Sequence, residues 1–202
     1  LSERKGSYIA FDGIDGCGKD TLADMLTSYW GHQGKDPLRV NEPTDGHNPI
    51  GGLIRTLLAD GACGHSHAAL FLADRLELQR QTLPEALHKG RPVVSSRCFL
   101  STLAFQQDTW PLDWLLSMHQ EMMFPDVILV LDVTPEEGVA RRKGRDRVEY
   151  YEQEERQTIY RRRFLELAKD SRIPCLVEAV DGMGTPTEVF GRVKAALGIK
   201  HG

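Results

Sequence analysis

The stretch Tyr8-Ile9-Ala10-Phe11-Asp12-Gly13-Ile14-Asp15-Gly16-Cys17-Gly18-Lys19-Asp20-Thr21 passes from an apolar run into a glycine-rich turn and on into an amphipathic helical pattern. Gly13, Gly18 and Lys19 fall at the spacing G-x-x-x-x-G-K, with Ile14, Asp15, Gly16 and Cys17 filling the loop. Glycines let successive backbone N–H groups curl around an anion, the helix start adds the positive end of its dipole, and Lys19 supplies a cation. The alternative is a glycine-rich turn without a ligand; strand, loop and helix in that order weigh against it. The stretch therefore implies a cradle for a nucleotide's phosphate tail, running from Gly13 to Thr21. One position departs from the pattern. Asp20 stands where a Ser or Thr hydroxyl normally meets Mg²⁺, and Thr21 comes one place later.

The 202 residues suit a single α/β domain, 1–202, with a full core. A net charge of −4 argues against wholesale nucleic-acid binding. No apolar run approaches the roughly 18 residues of a membrane span, and Leu1 to Ser7 does not read as a signal peptide, so a cytoplasmic protein without membrane attachment is expected. Cys17, Cys63, Cys98 and Cys175 are scattered, without C-x-x-C pairs or ligand spacing to histidines, which argues against disulfides and structural zinc. His65 and His67 sit in a Gly-Ala-rich turn and read as loop or helix-start residues.

Short β-branched or apolar runs recur at Tyr8–Phe11, Leu38–Val40, Pro92–Val94, Val127–Leu131 and Cys175–Val180. Helical patterns fall between them, at Lys19 to about Trp30, Ile50–Leu58, Ser66–Lys89, Leu112–Met123, Pro135–Arg142, Glu149–Asp170 and Pro186–Leu197. Pro84 should kink or restart the third of these. Thr134-Pro135-Glu136-Glu137 is a helix start, with Thr as cap and acids beside the positive dipole end. The alternation predicts a doubly wound parallel sheet of five strands with helices on both faces, and Val127–Leu131 as a strand buried on both sides.

Four further segments lie where strands end or helices begin, the edge at which open α/β sheets bind ligands. Glu42-Pro43-Thr44 is followed by Gly51-Gly52-Leu53-Ile54-Arg55; then come Leu70-Phe71-Leu72-Ala73-Asp74-Arg75, Ser95 through Gln106, and the basic run Arg141-Arg142-Lys143-Gly144-Arg145-Asp146-Arg147. With the phosphate loop written Phe-Asp-Gly-Ile-Asp-Gly, this ordered set resembles the thymidylate kinase family along nearly the whole chain. Each motif is weak alone; their joint order is specific.

The resemblance implies a P-loop nucleoside monophosphate kinase fold, ATP and Mg²⁺ as cofactors, dTMP as substrate, and a homodimer. It places Phe71 against the thymine ring and Arg75 on the base edge, a ring plus a planar donor fork being what a pyrimidine needs. Arg97 would grip the acceptor phosphate. Thr102 and Gln106 fall at base-edge positions, and Phe105 lies where an aromatic crowds out a 2′-hydroxyl. Glu42, Pro43 and Arg55 match a loop along the monophosphate and sugar, although the Arg that often precedes Glu-Pro is Asn41 here. Asp15 matches a carboxylate near the transferring phosphate and the metal. Gly16 occupies the position where some members carry a catalytic Arg, so this chain resembles the type in which a lid, about 141–150, supplies it. Arg145 is the first candidate and Arg142 the second. Mobile positive charge over the reacting oxygens and exclusion of water are what phosphoryl transfer requires. For Cys17, size compatibility is the plain reading; a thiol pKa lowered by the helix N-terminus is the alternative.

The family's strand-end Asp-Arg is Ser96-Arg97 here, while the loop hydroxyl has become Asp20. A carboxylate and a hydroxyl have exchanged places, so the expected magnesium site has Asp20 on the ion or its water, Asp15 nearby and Ser96 behind them. Two other functions stay open: a relaxed deoxynucleoside monophosphate kinase, because Asn41, Thr102 and Phe105 border the acceptor, and a nucleotide-binding regulatory module, because Asp20 and Ser96 depart from the pattern.

Overall fold

The structure, a computed structural model, describes residues 5–44, 48–61, 64–142 and 154–199. Five parallel strands, β1 (Tyr8–Asp12), β2 (Leu38–Asn41), β3 (Val93–Ser96), β4 (Val127–Asp132) and β5 (Leu176–Asp181), lie in the order β2-β3-β1-β4-β5. The five strand predictions hold to within one or two residues at their ends. β1 is fully buried along its length, and β4 is apolar and buried over Ile128–Leu131, as a strand covered on both faces must be. β5, at an edge, leaves Leu176 exposed.

The chain turns from β1 toward β2 on one side and crosses to β4 on the other, so the order reverses at the carboxyl end of β1. Register brings the strand ends together there: Asn41 pairs with Ser96, Ser96 with Phe11, and Asp12 with Val130. The loop after β1, Glu42 after β2 and Arg97 after β3 all lie at this edge.

Helices α1 (Lys19–His32), α2 (Pro49–Ala59), α3 (His67–Gln81), α4 (Leu83–His88), α5 (Phe99–Gln106), α6 (Leu112–Met118), α7 (Pro135–Arg141), α8 (Glu154–Leu167) and α9 (Pro186–Ala196) connect and cover the strands. The break between α3 and α4 falls at Thr82, just before Pro84, as expected. Thr134 caps α7 by accepting the Glu137 N–H. The pattern over Leu112–Met123 overran. Helix α6 stops at Met118 because the Gln79 side chain takes both the N–H and the C=O of Met123, at 2.8 and 2.7 Å, pulling that segment off the helical path. α8 ends at Leu167 rather than Asp170, and residues 149–153 of its predicted start lie outside the described residues.

α5 had no counterpart in the helical patterns, for a physical reason. All eight of its residues are buried, Ser101, Thr102 and Gln106 included, so the segment has no solvent-facing side to set an apolar–polar 3.6-residue rhythm. Its start is capped from a distance: Asp12, at the end of β1, accepts from the Cys98 and Ser101 N–H groups at 3.3 and 3.0 Å and from the Ser101 hydroxyl at 2.6 Å. The same carboxylate accepts from Gly13 N–H at 2.9 Å, tying the phosphate loop to α5.

Candidate active site

The loop after β1 is shaped by contact with α7. Gly16 has φ of +81°, and a Cβ there would overlap the Gly138 carbonyl; a Cβ on Gly138 would in turn press on the Asp15 carbonyl. Two glycines meet where no side chain fits, so the loop cannot carry its own arginine at this position. Gly18, left-handed at φ 93°, starts α1 with no side-chain cap, leaving the first-turn amides to an anion. A cleft of about 800 Å³ opens above them, walled by Asp15 through Leu22, Asn41, Ser96, Arg97, Arg141 and Arg142. Gly13 and Ile14 support this wall from beneath, Ile14 being 1% exposed.

Asp15 is held from several sides. Arg97 Nη2 donates to its Oδ1, Lys19 Nζ lies at 3.6 Å, and Gln157 on α8 donates to Oδ2 at 3.3 Å while accepting the Asp15 N–H at 2.9 Å. Burial would raise the carboxyl, but Arg97, Lys19 and Arg142 outweigh it and hold Asp15 below its usual range. Gln157 was missed in the sequence; its signal is a polar residue in step with the buried stripe Tyr160, Phe164 and Leu167.

Arg97 divides the site. Its φ of +69° is unusual for a residue with a side chain, and such backbone positions gather where function demands them. Its N–H bonds Phe11 O, Nη1 donates to the Ser101 hydroxyl at 3.1 Å, and the guanidinium lies 5.3 Å from the centroid of Phe105. On the other side of Arg97 is a second cavity, lined by Phe71, Arg75, Cys98, Ser101, Thr102 and Phe105. Asp15, Glu42, Pro43, Leu58 and Arg97 border both cavities.

In the second cavity Arg75 is 2% exposed and Glu42 6%. Arg75 Nε and Nη2 both lie on Glu42 Oε2, at 2.7 and 2.6 Å, and Nη2 reaches the Thr102 hydroxyl at 3.4 Å. Burial pushes the Glu42 carboxyl upward against the pull of Arg75. Glu42 precedes a cis proline, Pro43, and the following loop is clamped by Asp74, which accepts from Thr44 N–H and hydroxyl at 2.8 and 2.5 Å and from Asn48 at 2.9 Å. Phe105 packs edge-on against Tyr160 and Phe164. Of two further predicted contacts, Gln106 is buried outside the lining of this cavity, while Arg55 lines the first cavity beside Glu42 and Pro43 and donates to Pro43 O and Thr44 O at 2.5 and 3.4 Å.

At the mouth of the first cavity the Asp20 carboxylate accepts from the Ser96 hydroxyl and faces Arg39 at 3.6 Å. Burial opposes its ionisation, but the Ser96 bond and Lys19, Arg97 and Arg39 hold Asp20 below its ordinary value. The proposed lowering of the Cys17 thiol is overturned. The side chain is 1% exposed, and burial pushes the thiol up despite Lys19. In the basic run, Arg142 Nε donates to Gly138 O at 3.2 Å, while Arg141 latches Cys17 O, Gly182 O and Gly184 O at 3.0–3.4 Å. Arg141, named in the basic run but not among its catalytic candidates, thus closes the cleft wall; Arg145 lies outside the described residues.

Comparison with known proteins agrees with this geometry. The thymidylate kinase family profile matches residues 11–181. A probable thymidylate kinase of Pyrococcus abyssi is 33% identical, covering 98% of this chain and 97% of the relative. The thymidylate kinase of Carboxydothermus hydrogenoformans is 31% identical over 96% of this chain and 97% of its own length. The solved thymidylate kinase of Candida albicans superposes with a TM-score of 0.83 at 26% identity, covering 98% of this chain and 93% of that one. With the family profile matching residues 11–181 and relatives at 31–33% identity aligned over nearly the whole chain, this chain belongs to the thymidylate kinase family and is a nucleoside monophosphate kinase.

Proposed function

We propose that the enzyme transfers the γ-phosphoryl group of ATP to the phosphate of dTMP, giving dTDP and ADP. The observation that carries this reading is the sharing of Arg97 and Asp15 by the two cavities. A cation touching both sides can bring two anionic phosphates together, and holding the reactants in place supplies much of the rate. Lys19 and the loop amides hold the donor; Arg75, Thr102 and Phe71 hold the base; Arg97 holds the acceptor phosphate, whose oxygen is already anionic and requires no side-chain base. Phe105, fixed by two aromatic neighbours, favours a deoxy sugar. Arg142, whose charge already reaches Asp15, and Arg145 are the candidates for stabilising the transferring group; the larger kcat loss between R142M and R145M assigns the role.

The residues present fit a magnesium ion. Among the described residues no three His, Cys, Asp or Glu cluster to hold a metal, so any ion must share its ligands with substrate, the usual habit of Mg²⁺. Asp20 and Ser96 are hydrogen-bonded, and Asn41 Oδ1, opposite Ser96 in register, is buried without a partner. All three are hard oxygen donors on one wall of the donor cleft. When bound, the ion supplies charge neutralisation between the phosphates. Asp20 would repel a metal-free triphosphate, so D20S should weaken the Mg²⁺ dependence of ATP binding by roughly tenfold and D20S/S96D should restore it, read by calorimetric titration. Simple additivity of the two changes refutes the exchange.

The family points to a homodimer; α2 and α3 pack together and leave Leu53 and Leu76 exposed, and sedimentation tests it. A small-molecule role without nucleic acid fits the net charge, and no described helix is long and apolar enough to cross a membrane. Broader acceptor use is the second reading, favoured by Asn41 in place of arginine; the Candida albicans enzyme is itself described as having broad substrate specificity. One coupled assay decides among these: ADP release across the common monophosphates, with and without Mg²⁺. Turnover requiring dTMP and Mg²⁺ is expected. Tight nucleotide binding without turnover would leave a regulatory module.

A further inference from the structure

Arg75 is held by Glu42 through one oxygen only. Nε and Nη2 converge on Oε2, while Oε1 of the same carboxylate is buried without a partner. A guanidinium paired fork-to-fork with two oxygens is fixed in plane and direction; one resting on a single oxygen can tip about it. A second anchor is therefore needed if the donors of Arg75 are to point steadily into the acceptor cavity. His119, at the end of α6, provides it: its Nε2 lies 3.0 Å from Arg75 Nη1, and its Nδ1 lies 2.6 Å from Leu115 O.

The donor inventory fixes the roles. Arginine has only donors, so Nε2 must accept; Nδ1 then carries the proton and donates it to the Leu115 carbonyl. Only the neutral ring can do both. Its surroundings keep it so: His119 is 2% exposed, and burial together with the Arg75 charge lowers its pKa to about 4. The ring also packs against Phe99, at 6.0 Å between centroids, which limits its rotation. His119 is not part of the cavity lining, whereas Arg75 is.

We propose that His119 is a positioning residue for the acceptor base, a neutral Nδ1–H imidazole that fixes the direction of the Arg75 guanidinium from behind. The inference rests on the reading of Arg75 as the base-edge donor. Its effect falls on the nucleoside monophosphate and not on ATP, because Arg75 borders only the acceptor cavity.

The test compares wild type, H119L and H119Q in steady-state assays with varied dTMP and varied ATP. H119L removes the acceptor; H119Q can return one, since its amide oxygen reaches the place of Nε2. H119L is expected to raise KM for dTMP about tenfold, with KM for ATP changed less than about twofold, and H119Q to recover most of the loss. Equal changes in both KM values, or no rescue by H119Q, overturn the proposal. Should H119L not fold, wild-type ¹⁵N imidazole shifts carry the test: the Nδ1–H tautomer should persist to about pH 5, and the Nε2 signal should move on addition of dTMP but not of ADP. A protonated ring at pH 6, or a signal indifferent to dTMP, refutes it. Wild-type enzyme without dTMP turnover would instead refute the underlying reading of the site.

Discussion

The two halves of the proposed reaction site are built by different means. The donor cradle is largely backbone: amides curled between Gly13 and Gly18, an uncapped helix start, and a loop pressed against Gly138. The acceptor cavity is almost wholly side chain, with Glu42 just after β2, Arg75 from α3 and Thr102 from α5, and with His119, just past α6, behind Arg75. A backbone cradle is set by local sequence and tolerates changes around it. A buried charge network is set by tertiary packing and is fragile, because removing one partner strands another in a site without water.

The largest effect should come from the one side chain on which the donor half depends. K19A is expected to lower kcat by about a thousandfold or more while leaving the fold intact, since the loop backbone does not need the lysine to form; a coupled ADP assay with a thermal melt checks both. The acceptor half should respond in the opposite sense. R75A leaves Glu42 buried and unpaired, and should cost about 3–5 kcal/mol in urea unfolding besides weakening dTMP binding. If both substitutions proved purely catalytic, the contrast between the halves would fail.

Protonation sharpens the same contrast. The folded pKa of His119, about 4, lies below its ordinary 6.5, so the unfolded chain binds the proton more readily between those values. The stability this group contributes is complete above pH 6.5 and is lost as pH falls toward 4. Wild type should lose about 2 kcal/mol from this group between pH 7.5 and pH 5, and H119Q should lose correspondingly less over the same interval. Urea midpoints at the two pH values read the difference. The smallest effect belongs outside both halves: D113N breaks an exposed pair with Arg172 and should change stability by less than about 0.5 kcal/mol.

Legibility in the sequence follows the same division. The phosphate loop and the five strands could be read directly, because their signals are contiguous: an apolar run, then glycines and a lysine at fixed spacing. α5 could not, because a helix buried on every side has no periodic signature. Arg75 was found through a motif, but its partners Glu42 and His119 lie 33 and 44 positions away, and nothing local links them. Gln157, 142 positions from Asp15, was hidden for the same reason. Cys17 left two readings open, size compatibility first and an activated thiol second. Its place beside a helix start suggested a reactive thiolate, and the burial that overrides this is a property of packing, not of sequence.

The central claim is that the two cavities meeting at Arg97 and Asp15 form one reaction site. Calorimetric titration with a single molecule that joins adenosine and thymidine through a five-phosphate bridge tests it most directly. The account predicts one molecule bound per chain, at least about a hundredfold tighter than ATP or dTMP alone, with the gain lost in R97A. Affinity no better than that of the tighter single substrate, or a gain that survives R97A, would contradict it.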